Sequence, residues 1–69
     1  MATTFKIKGE FIELIKLLKV TGVSESGAQA QALVEANEVK VNGAIETRKR
    51  AKIKPGDRIE TAEGIIVVE

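Results

Sequence analysis

Apolar residues recur along this chain at two periods, and the switch between them divides it into helical and extended parts. Phe11, Leu14, Ile15 and Leu18 follow the three-four-seven spacing of one helix face, and Leu17 widens the stripe. The spacing predicts a helix over Glu10–Thr21. Glu10 and Glu13 then fall in its first turns and Lys16 and Lys19 nearer its end, the order a helix dipole favours. Gly22 stands where a left-handed cap residue belongs. Ser26 and Gln29 have the spacing of a capping box and predict a second helix through Ala28, Ala30, Ala32, Leu33 and Val34. Its alanines permit close approach to a neighbour, and Asn37 is a suitable left-handed cap. Two helices separated by so short a connection pack as a pair.

Elsewhere the period is two. Thr4–Lys8 reads as a strand ended by Gly9. Val39 and Val41 flank Lys40, Asn42-Gly43 is a strong hairpin signal, and Ala44–Thr47 returns as the partner. Ala51–Lys54 alternates with Ile53 inward, and Lys54-Pro55-Gly56-Asp57 fits a type II turn. Arg58–Thr61, a turn at Glu63-Gly64, and Ile65–Val68 complete the chain. The predicted class is α+β: two packed helices against a small, mostly antiparallel sheet with short terminal strands. Phe11, Leu14, Leu18, Leu33, Val39, Val41, Ile53 and Ile59 are the expected core.

Length makes this one domain, residues 1–69, with a single modest core. There is no cysteine and no histidine, so disulfides, thiolate zinc sites and the commonest general base are excluded. No metal site and no cofactor are expected. Asp57, Glu60 and Glu63 surround a turn with no histidine or cysteine beside them, and neither glycine-rich nucleotide fingerprint is present. With no nucleophile–base pair either, no catalytic residue is assigned and the chain is not expected to be an enzyme. No apolar run is long enough to span a bilayer, and Met1–Glu10 lacks the apolar stretch of a secretory signal. A cytoplasmic monomer is the expectation.

The net charge is only +1, yet five of the eleven basic residues fall within Arg48–Lys54, with no acid among them. Such a cluster attracts phosphate. A solvated loop that protects a sheet edge would look the same, and charge alone favours that plainer alternative. Phe5 and Phe11 are the only aromatic residues and both fit core positions, which leaves no platform for stacking unpaired bases. Any nucleic-acid partner would then be a folded RNA met through shape and phosphates.

The motifs from Phe11 to Glu60 resemble the alpha-L RNA-binding domain, a family named for a ribosomal small-subunit protein. The resemblance is carried by Leu14, Leu17 and Leu18; Ser26; Ala30, Leu33 and Val34; Asn37; Val39-Lys40-Val41-Asn42-Gly43; and Gly56-Asp57-Arg58-Ile59. Val-Asn-Gly and Gly-Asp are its specific elements. Ser24–Ala30, Glu46–Arg50 and the flanking strands are similar to small stand-alone bacterial members of the family. The resemblance implies a non-catalytic module that binds structured RNA, with ribosomal RNA or a ribosome-associated particle among the candidate partners. It implies contact through the helix pair and the adjoining hairpin. Gly27 and Gln31 stand where many members carry basic residues, which leaves Arg48–Lys54 to supply most of the charge. Arg48, Lys49, Arg50 and Lys52 are therefore the expected RNA-contacting residues. Lys40, Lys54 and, at the start of the second helix, Ser26 and Gln29 stand at the margin. A protein-interaction module on the same fold is the alternative from a different class.

Overall fold

The computed structural model describes residues 2–69. Its elements run β1 (Ala2–Phe5), β2 (Ile12–Glu13), α1 (Leu14–Val20), α2 (Gly27–Glu35), β3 (Lys40–Val41), β4 (Ala44–Ile45), β5 (Lys52–Ile53), β6 (Arg58–Thr61) and β7 (Gly64–Val68). Five strands form one sheet in the order β1-β7-β6-β3-β4, and β2 and β5 form a separate two-stranded ribbon. All pairings are antiparallel except β1 with β7, which run parallel from Ala2 beside Ile65 to Phe5 beside Val68.

The first helix is shorter than its apolar spacing predicts. Gly9 adopts φ +109, a region closed to most side chains. The chain then runs extended so that Ile12 and Glu13 pair with Ile53 and Lys52. Glu13 becomes the residue that precedes the helix, and no acid lies in the first turn. Main-chain carbonyls cap this end instead. The Leu14 and Ile15 amides donate to the carbonyls of Ala51 and Lys49 at 2.9 and 3.3 Å, which satisfies donors that a helix start leaves open. Leu14, Leu17 and Leu18 form its buried stripe.

The second helix begins as its cap signals indicate. The Ser26 hydroxyl accepts from the Gln29 amide at 3.2 Å. The Gln29 side chain reaches back to the Glu25 amide, one residue before the cap position used in the ordinary box. Asn37 at φ 61 and Gly22 at φ 82 close the two helices. The Asn42-Gly43 corner has φ 52 and 87, the two positive values of a type I′ hairpin. The Asp57 amide donates to the Lys54 carbonyl at 3.0 Å with Gly56 at φ 97, a type II turn.

Leu14, Leu17, Leu18, Ala30, Val34, Val39, Ala51, Ile53, Ile59, Ile66 and Val68 make one buried cluster. Five expected core residues lie in it, and Leu33 and Val41 pack half-buried against it. Phe11 does not belong to it. The extended run that displaced the helix start turns this ring outward, and the residue is 42% exposed. Phe5 keeps its contact with the core.

Candidate functional site

The basic segment is a tight turn tied to both helices. The Ala51 amide donates to the Arg48 carbonyl at 3.3 Å, which places Lys49 and Arg50 at the corner. Ala51 is buried and roots the turn in the core. The Lys49 and Ala51 carbonyls receive the first amides of α1. The Lys49 ammonium meets the Glu35 carboxylate at 2.6 Å, at the end of α2. Main-chain bonds thus hold the turn to one helix, and an ion pair holds it to the other.

Two of its charges have acidic partners that lie outside the run. The Arg48 guanidinium lies 3.0 Å from Glu46. That hydrogen bond, with the accompanying charge attraction, holds the Glu46 carboxyl below the ordinary glutamate range against a smaller opposing effect of burial. The same bond raises the Arg48 pKa. Among the described residues, Arg50, Lys52 and Lys54 form no ion pair. Lys52, on β5 opposite Glu13, sets its ammonium 5.0 Å from the centroid of the Phe11 ring, within cation–π range.

The marginal residues are distributed more widely. Lys40 pairs with Glu60 across β3 and β6 and shares a shallow depression with Glu38, Glu60 and Thr61. Ser26 and Gln29 use polar atoms in the helix cap. Lys54 donates its amide to Asp57 at 2.8 Å while its side chain stays exposed. The expected main surface, Arg48–Lys52, is therefore one contiguous turn-and-strand segment, and its margins are separate. The pairing acids Glu35 and Glu46, and the exposed ring of Phe11, were not legible as parts of this surface.

Asn42 and Asp57 join the hairpin to the later turn. The Asn42 side-chain amide donates to Asp57 at 3.0 Å, and its carbonyl oxygen accepts from the Arg58 amide at 2.9 Å. The Val-Asn-Gly and Gly-Asp elements thus form one physical unit, although a long stretch of chain separates them.

A helix pair beside a sheet joined through this unit defines the chain's class. The S4 domain model matches residues 5–69, and the chain belongs to that family. YbcJ of Escherichia coli (strain K12) is 50% identical over 62 residues, which cover 90% of this chain and 89% of that protein, and YbcJ of Shigella flexneri matches equally well. The solution structure of E. coli YbcJ matches with a TM-score of 0.74 at 46% identity, covering 96% of this chain and 85% of that one. That structure is described as revealing an alfaL motif involved in RNA-binding.

Proposed function

We propose that this protein is a non-catalytic module that binds structured RNA, ribosomal RNA among the candidates, through the basic turn Arg48–Arg50 and the adjoining Lys52 and Lys54. The observation that carries the reading is the rigid mounting of that turn. Its backbone is hydrogen-bonded to α1, and Ala51 roots it in the core. A charge cluster held this way presents a fixed pattern to phosphates, where a solvated loop would present a fluctuating one. Family membership and the RNA-binding motif described for E. coli YbcJ support the same reading.

Arg50, Lys52 and Lys54 are the first phosphate contacts, since they give up no ion pair on binding. Arg48 and Lys49 join at the expense of Glu46 and Glu35. Lys40, Ser26 and Gln29 border the surface. Roughly three to five neutralised phosphates give a log–log salt slope of about −2 to −4. Sequence preference at this patch is weak, because phosphate contacts position an RNA without reading its bases.

The test is binding of structured RNA at two salt concentrations by parent protein and by the Arg50→Gln, Lys54→Gln double variant. The variant should melt like the parent, bind every structured RNA more weakly by a similar factor, and flatten the slope by about 1.5. A normal melt with parental affinity would reject the patch and favour a protein-docking role for the domain.

A further inference from the structure

An open cleft of about 600 Å³ lies on the side of the molecule where α1 meets the segment between β1 and β2. Phe5, Phe11 and Val20 supply apolar wall, and Lys6, Lys8 and Lys16 also line it, with Glu13 the acid among its lining residues. The volume falls within the roughly 300–1,000 Å³ of small-molecule sites. Phe11 is 42% and Val20 51% exposed, and a small domain gains nothing in stability from leaving such surface in water. Lys52 lies over one face of the Phe11 ring but does not line the cleft. The ring therefore presents its remaining surface to the cavity. Lys52 also belongs to the basic segment, so its contact with Phe11 joins the phosphate patch to the wall of the cleft.

From this juxtaposition we infer that the cleft receives one unpaired nucleotide of the bound RNA. Its base stacks on Phe11, and its phosphate lies among Lys6, Lys8 and Lys16. An aromatic ring beside several cations complements a flat, polarisable base that carries an anionic backbone, and stacking of this kind tolerates any base. The inference rests on the RNA reading above and adds a second mode of contact to it: the turn holds paired stem, and the cleft selects RNA with a nucleotide free to leave the stack.

Two labelled hairpins with the same stem and loop, one carrying a single bulged adenine, provide the test by fluorescence anisotropy. The parent protein should bind the bulged hairpin about tenfold more tightly. Phe11→Leu keeps the apolar volume and removes the ring. It should bring that ratio near one, chiefly by weakening binding of the bulged hairpin. In the parent, the Phe11 ring resonances should shift with the bulged hairpin and not with the other, a readout that does not depend on the variant folding. If both hairpins bind equally with a normal salt slope, the cleft is not a base site and the phosphate patch stands. If the preference survives in Phe11→Leu, or the ring resonances stay still, the base sits elsewhere and the inference is overturned. Binding of neither hairpin would reject the RNA reading itself.

Discussion

Asn42 combines a left-handed backbone with hydrogen bonds from both ends of its amide. Asn tolerates positive φ where most residues are strained, and its side chain is the one that reaches Asp57 and the Arg58 amide. Asn42→Ala therefore loses conformation and bonds together and should cost about 2 kcal/mol in a urea melt. Asp57→Ala should cost a similar amount, and the double variant clearly less than the sum, since each single change already breaks the shared bond. Glu46 is tuned by a neighbour two positions on. Its lowered pKa means that the ion pair with Arg48 is intact at neutral pH. The stabilisation it gives is present above the ordinary glutamate value and is lost as pH falls through the lowered one. Replacing Arg48 with Gln should return the Glu46 carboxyl toward its ordinary range, observable in an NMR titration. The role of Asn42 was legible in sequence, and that of Glu46 was not. Asn-Gly announces its turn locally, whereas the pairing of Glu46 with Arg48 depends on how the chain bends after β4.

The elements show where local pattern was sufficient and where it was not. The second helix carries its start signal in Ser26 and Gln29 and its end signal in Asn37, and it forms between them. The first helix has a good apolar stripe but starts four residues later than that stripe suggests, at Leu14. Pairing of Ile12 and Glu13 with β5 overrides the helical preference, and no local signal distinguishes the two outcomes except Gly9. The same displacement separates two residues that periodicity treats as equivalent. Leu18 is fully buried, and Leu18→Ala should cost roughly 2–5 kcal/mol. Phe11→Leu, at the exposed end of the stripe, should cost less than about 1 kcal/mol. A thermal melt of the two variants side by side decides this. The basic turn was legible as charge, but its partner Glu35 lies on another element and is brought close only by the helix packing. Glu35→Gln should release Lys49, and structured RNA should then bind more tightly, by up to about fivefold, because Lys49 no longer gives up an ion pair on binding.

At the scale of the whole molecule, the α+β class, the hairpin, the Pro-Gly turn and the run of late strands could be read from alternation and turn chemistry, while the last turn falls on Ala62 and Glu63, one residue earlier than expected, with Gly64 opening β7. The joining of the chain's two ends could not. The β1–β7 pairing is parallel and spans nearly the entire sequence. Alternation within a strand says which face is buried, not which distant strand lies alongside. Ile66 and Val68 consequently enter the core from a strand whose parallel neighbour was not evident, and Phe5 is held at the edge of that core. Main-chain bonds continue past the strands, with Glu69 donating to Phe5 and Ile7 donating to Glu69, each at 2.8 Å.

This parallel junction determines how the domain meets mechanical load. A pull applied at Ala2 and at Glu69 draws β1 and β7 in opposite directions along their shared axis. The bonds between them lie across that axis, so they are sheared together rather than opened one after another like a hairpin. Resistance to such a pull is governed by the rate of crossing one barrier, not by equilibrium stability. Loading the same chain across the β3–β4 hairpin, from Lys40 to Ile45, would peel its few bonds in sequence. Single-molecule pulling in these two directions should give a high rupture force for the ends and a low one for the hairpin, although both begin from the same folded state.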